Sequence, residues 1–280
     1  LKKFGVKPLY VMLAIGAHTG TFLIANGFFC FLYKAKIPFF ERYRVLDNPW
    51  PWESDPEKWK ETMKKTVKTL LIAHFVIFPA MLLGDLTFGI KARMDLESYP
   101  SFFEIIWQNF FFLLCEDFGF YWTHRILHHP YMYSRSHKKH HEYGITVSFA
   151  AEYAHPVEFI FGNIIPSVMG AKILGSKVHI ATVMVWGIIR ITKTTDAHAG
   201  YEFSWSPYGL LPFHGSSTFH NYHHYQNSGN YGSFFTFWDT LFGTNKAYKK
   251  FLEKQAKGKV ESFSVNSQNG VSKDGKSKAE

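Results

Sequence analysis

Residues 9 to 33, LYVMLAIGAHTGTFLIANGFFCFLY, contain no Asp, Glu, Lys or Arg. A helix of about 20 such residues crosses the hydrocarbon of a bilayer, where only intrahelical bonding satisfies the backbone. This segment is expected to span a membrane, and any fold must accommodate it. His18 within it reads as a packing or interfacial polar residue. Two further runs follow the same logic, TLLIAHFVIFPAMLLGDLTFGI at 69–90 and SFFEIIWQNFFFLLCEDFGFYW at 101–122. Pro79 is expected to kink the first of these. The apolar region 156–192 is interrupted by Pro166, Gly170 and Gly175 and fits either two short crossings or a re-entrant hairpin.

Aromatic residues make up 19% of the chain, and their concentration in these runs suits lipid contact. The mean hydropathy of −0.12 requires that part of the chain lives in water. A net charge of +9 falls beside apolar segments and in the tail, without a nucleic-acid motif, so the expected anionic partner is a membrane surface. Cys30 and Cys115 both lie in apolar runs, which leaves no disulfide framework and no CxxC pair; a metal would have to be held by histidine and carboxylate. No cleavable signal peptide is expected, and a start at Leu1 leaves the natural N-terminus open.

The loop at 34–66 is rich in Lys and Arg, and its PWPWE at 49–53 suits a membrane interface, whereas 91–100 carries only Lys91 and Arg93. The excess of positive charge assigns the first loop to the cytosol, and two crossings then return His124 to the same side. The expected divisions are N-terminal membrane helices and a loop over 1–100, a catalytic region over 101–248, and a disordered basic tail over 249–280. The last residues, KSKAE, resemble a dilysine retrieval signal of the endoplasmic reticulum.

Directly after the third apolar run stands HRILHHPYMYSRSHKKHH, with six of the fifteen histidines. Three groups stand out: His124, His128 and His129; His137, His140 and His141; His220, His223 and His224. Helix positions i, i+3 and i+4 have Cβ atoms about 5–6 Å apart, so each group is expected to present its imidazoles in one direction. One zinc or iron takes about four to six ligands, which makes these histidines enough for two metals. A membrane metal carrier is the competing class, but carriers place their ligands within the span. Glu116, Asp117, Glu142, Glu152 and Asp196 are candidates to accept the outward N–H of metal-bound imidazoles, with Asp196 preferred because it stands two residues from His198.

HRILHH, HKKHH and HNYHH, in this order after a membrane helix, resemble the histidine boxes of the fatty acid hydroxylase and sterol desaturase superfamily. PWPWE, AEYAHP at 151–156, TTDAHAGY at 194–201 and GNYGSFFTFWDTLFGT at 229–244 are most similar to sterol 4-alpha-methyl oxidases. The resemblance implies an all-α integral membrane protein with about four transmembrane helices and a cytosolic helical cap holding a histidine-rich dimetal site. It implies two iron ions, with zinc as the alternative in isolated protein, and O2 as co-substrate. Electrons would come from NAD(P)H through cytochrome b5 and its reductase. The sterol would come from the bilayer of the endoplasmic reticulum, alongside other sterol demethylation enzymes.

Carried over by position, the implied ligands are His124, His128, His137, His140, His141, His198, His220, His223 and His224. His129 competes with His128, and His155 is a weaker candidate. Phe219 stands where many sterol oxidases have a further histidine, and His214 has no counterpart. These departures bear on substrate, because related enzymes hydroxylate, desaturate or dealkylate other lipids with the same boxes.

Overall fold

The computed structural model describes residues 6–88, 92–95 and 97–257. Within the described residues the three apolar runs fold as helices. Helix α1 covers Val6–Ala35. The second run continues a helix that already starts at Pro56, inside the expected polar loop, where Asp55 accepts a hydrogen bond from Lys58 N and caps the N-terminus. This helix comprises α2, Pro56–Ile72, a π-helical segment Ala73–Ile77, and α3, Phe78–Phe88.

Helix α4, Phe102–Leu127, contains the third run. After a π-helical segment Phe159–Ile164 come α5, Ile165–Leu174, and then α6, Ile180–His198. Helix α7, Ser217–Gln226, carries the last histidine group; α8, Phe237–Phe242, and α9, Lys246–Ala256, follow. Among the described residues there are no strands, only isolated bridges such as His214 with Phe235.

Three helical stretches are long and apolar enough to cross a membrane: Tyr10–Ala35, Pro56–Gly84 and Pro156–Lys177. The run 101–122 is not among them, because α4 is polar on one side. Phe102, Phe103, Ile106, Trp107, Phe110 and Leu114 are exposed, whereas Gln108, Asn109, Glu116 and Asp117 are buried. Apolar outside and polar inside is the arrangement of a helix that faces lipid and a polar protein interior. The region 156–192 resolves into two helices, broken where Gly175 takes a φ of 56°. The first is long enough to cross; α6 buries Trp186, Arg190 and Lys193.

Each π-helical segment stands just before a proline, Pro79 or Pro166. Proline cannot donate to the carbonyl four residues back and collides with it, and widening the helix accommodates that defect. The expected irregularity at Pro79 therefore takes the form of π geometry, which carries His74; the one before Pro166 carries Asn163.

Helix α5 lies along α4, and α1 along α6. Gly170 makes the first pairing close, since a Cβ there would stand 2.8 Å from Phe112 Cα. Beyond the apolar helices, Tyr33, Trp50, Val147, Tyr153 and Tyr201 form a core under the histidine-bearing segments. PWPWE was expected at a membrane interface; instead Trp50 is 2% exposed within this core. Its ring lies against Gly200, where φ is 71° and a Cβ would approach it to 3.0 Å. The segment from 249, expected to be disordered, is helical through Ala256. KSKAE lies outside the described residues.

Candidate metal centre

The first histidine group forms where α4 ends: His124 is in its last turn and His128 is its C-cap. The second sits on a 3-10 turn, His137–Glu142, and the third on α7. His198 is the last residue of α6. Nine imidazoles converge in two adjoining clusters, His124, His128, His137, His141 and His223 in one, and His140, His198, His220 and His224 in the other. Ligand-type atoms within each cluster lie within 4.8 Å of one another.

Each group was expected to point one way, yet the second and third groups divide. His137 and His141, four residues apart, enter the five-membered cluster while His140 enters the other; His220 and His224 pair in the four-membered cluster while His223 leaves it. On α7, positions i and i+4 stack on one helical face and i+3 falls to its flank, so one turn serves two neighbouring sites. His129 is exposed at the N-cap of the short helix Pro130–Arg135 and joins neither cluster. Nor does His155, whose Nδ1 accepts from Val157 N. The Phe219 ring packs on Tyr248 with centroids 5.3 Å apart.

Main-chain carbonyls orient the rings. Nδ1 of His124 donates to Tyr231 O at 3.0 Å, that of His198 to Thr194 O at 2.8 Å and that of His223 to Gly229 O at 2.6 Å. His140 does the same to Tyr153 O at 3.3 Å and His224 to Tyr143 O at 3.1 Å. A carbonyl only accepts, so the proton sits on Nδ1 and Nε2 is a bare lone pair.

The Nε2 atoms of the clustered rings face one another. In one cluster His223 Nε2 lies 3.2 Å from both His128 Nε2 and His141 Nε2. In the other, His198 Nε2 lies 2.8 Å from His220 Nε2 and 3.3 Å from His140 Nε2. Two nitrogens bound at about 2.1 Å to one ion stand about 3.0 Å apart at a right angle and about 3.4 Å apart in a tetrahedron. The donor set and its spacing fit one transition-metal ion per cluster.

Burial lowers the pKa of the clustered histidines, and the charges of neighbouring imidazoles lower it further. His140 is brought down to about 4 and His128 to about 2, and His141, His220, His223 and His224 fall well below the ordinary value. The rings are therefore neutral near pH 7, the state that binds metal.

The carboxylates expected to support these rings do other work. Asp196 accepts from Ser206 Oγ, at 3.3 Å, because residues two apart on a helix point to different sides. Glu142 accepts from Tyr153 Oη, Asp117 from Phe234 N and Phe235 N, and Glu116 pairs with Arg190 Nε at 2.6 Å. Glu152 turns to His18 and His74. Among the described residues, the carboxylate that reaches a clustered ring is Glu158, with Oε1 2.8 Å from His137 Nδ1, a close approach without hydrogen-bond alignment. Its sequence signal was an acid at the start of an apolar run, since a charge there implies a function.

Asp117 and Asp239 act indirectly. Asp239 accepts from Tyr231 N and Gly232 N, and Asp117 takes the next main-chain donors, so the two fix the loop whose carbonyls orient His124 and His223.

A cavity of about 320 Å³ runs among α1, α3, α5 and α6, with mostly apolar walls. Asn163 and Thr194 line it and also border a small chamber against His124, His137, His140, His198 and His220. An apolar molecule in the cavity would thus have one end beside the imidazoles.

Residues 109–244 match the family described as fatty acid hydroxylase. A putative methylsterol monooxygenase of Dictyostelium discoideum is 36% identical over 86% of this chain and 90% of its own length. The chain belongs to the fatty acid hydroxylase family. This family is membrane-bound and metal-dependent, in keeping with the apolar helices and the clustered imidazoles. A very-long-chain aldehyde decarbonylase of Oryza sativa subsp. indica is 34% identical over 84% of this chain and 87% of its own. Methylsterol monooxygenase 1 of Gallus gallus is 32% identical over 79% and 72%. No solved structure matches the chain.

Proposed function

We propose that this member of the fatty acid hydroxylase family is a di-iron monooxygenase that oxidises the 4-methyl group of sterol precursors. One observation carries the reading: two adjoining clusters of imidazoles, seven of the nine buried, stand at the end of an apolar cavity among membrane helices. The relatives named methylsterol monooxygenase support the substrate class.

The five histidines of one cluster and the four of the other would each hold one iron. Bound iron supplies the activation of O2 that inserts one oxygen atom into a C–H bond, with two electrons and two protons taking the other to water. The chain contributes placement. The apolar walls receive the lipid from the bilayer, Asn163 and Thr194 form the passage to the imidazoles, and burial excludes bulk water. Electrons are assigned to NAD(P)H through cytochrome b5 and its reductase. The exposed Arg135, between the first two histidine groups, and the exposed Lys138, within the second, offer a basic face to such a donor. The proposed location is the endoplasmic reticulum membrane with the centre toward the cytosol, beside other sterol demethylation enzymes.

Sterol profiling tests the reading. Cells lacking the protein are expected to accumulate 4-methylsterols, and the wild-type chain to clear them where His224→Ala does not. Unchanged 4-methylsterols would refute the assignment. The likeness to the rice decarbonylase favours a second reading, oxidation of a long-chain lipid, for which accumulated long-chain aldehydes would speak.

A further inference from the structure

The two imidazole clusters leave one convergence of buried polar groups unexplained. His18 of α1, His74 of the first π-helical segment and Glu152 meet, with one polar atom from each lying within 4.8 Å of the others. Glu152 Oε1 is 3.4 Å from His18 Nε2, and Oε2 is 2.8 Å from His74 Nε2. His74 Nδ1 stands 3.0 Å from Thr19 Oγ1. The glutamate is thus gripped from two membrane helices, although its own segment leads straight to Tyr153, whose carbonyl orients His140.

Hydrogen bonding within the trio is incomplete. Among the described residues His18 Nδ1 is buried without a partner, and the approach of His74 Nε2 to Glu152 Oε2 is short but lacks hydrogen-bond alignment. Buried polar atoms without partners are rare in native proteins, and a bound group is one way of satisfying them. His18 and Glu152 both line the apolar cavity of about 320 Å³. They share that cavity with Asn163 and Thr194, its passage to the imidazoles, and Ala151, next to Glu152, borders the inner chamber. The polar pair and the imidazoles are therefore at the same end.

We propose that Glu152 and His18 form a binding site for a hydroxyl group of the lipid substrate. The inference rests on the sterol oxygenase reading and deepens it. A hydroxyl both donates and accepts, so it complements a carboxylate beside an imidazole whichever ring nitrogen carries the proton. An ether at the same position has no proton to give Glu152. Because the hydroxyl is held beside the passage, the carbon presented for oxidation is a near neighbour of the hydroxyl-bearing carbon. His74 is a positioning residue that holds Glu152.

The test is equilibrium binding of a tritiated 4-methylsterol and of its methyl ether to purified, metal-loaded, full-length protein in detergent, without reductant so that no turnover occurs. Wild type is expected to bind the ether about tenfold more weakly or worse, the scale of a lost hydrogen bond to a charged group. Glu152→Gln and His18→Phe should each weaken binding of the alcohol and bring the two ligands within about twofold. Should Glu152→Gln fail to fold, His18→Phe alone carries the comparison. Equal binding of both ligands by wild type, or discrimination that survives in the folded variants, overturns the inference and leaves the sterol reading standing. Binding of neither ligand by wild type overturns both. A third metal ion per chain, lost in either variant, overturns it by reassigning the trio as a metal site.

Discussion

Five of the nine clustered imidazoles aim Nδ1 at a main-chain carbonyl, so most ligand orientation is set by backbone path. His137 is different, because its Nδ1 faces the carboxylate of Glu158. Glu158→Ala is expected to lower metal affinity in the five-histidine cluster by about 10–100-fold, the usual effect of removing such a partner. Metal retention during dialysis against graded chelator measures it, and unchanged retention would contradict the role. His137→Ala and His224→Ala, each removing a ring from a different cluster, should abolish oxidation of a 4-methylsterol in microsomes given NADH and O2. The imidazoles themselves were legible in the sequence because two groups repeat the spacing i, i+3, i+4 and a third stands at i, i+4, i+5. Their partners were not: carbonyls leave no trace in side-chain identity, and Asp196 is near His198 in number but around the helix from it.

Helices α4 and α5 pack along each other, and Gly170 sets how closely they approach. A Cβ at this position would meet Phe112 at 2.7 Å from its ring and 2.8 Å from Cα, so backbone as well as side chain would have to move. Gly170→Val is expected to destabilise the protein by about 1–3 kcal/mol through overpacking. Thermal melting in detergent measures this, and an unaltered midpoint would show that the helices do not rely on that contact. The π-helical segments belong to this scale as well. A proline in an apolar run announced an irregularity at 79, but not that the helix would widen and turn His74 toward Glu152. The apolar runs disclosed the helices because charge is so costly in lipid. The inward polar side of α4 was hidden in a run whose exposed face is rich in phenylalanine.

Across the whole molecule, burial of the histidine centre couples folding to pH. The folded rings have pKa values below the ordinary 6.5, such as about 4 for His140. As pH falls through 6.5, the unfolded chain takes up protons that the native rings refuse. The unfolded state then binds more protons, so native stability drops with falling pH. Metal-free protein should melt at lower temperature at about pH 5 than at about pH 7, and a midpoint that is flat or rises with acid would contradict this. Bound metal should raise the midpoint at neutral pH, because it binds the native arrangement only. The sequence conveyed the membrane helices and the histidine-bearing cap as separate expectations. Their joining through Trp50, Tyr33 and Tyr201 was not legible, since PWPWE has the composition of an interfacial loop and only the tertiary core buries it.

Nine imidazoles that make two metal sites should show themselves in the metal content per chain of the purified protein. Two tightly held ions are expected in wild type and about one after His220→Ala, which removes a ring from the four-histidine cluster alone. One ion or none in wild type, or two ions retained after His220→Ala, would contradict it.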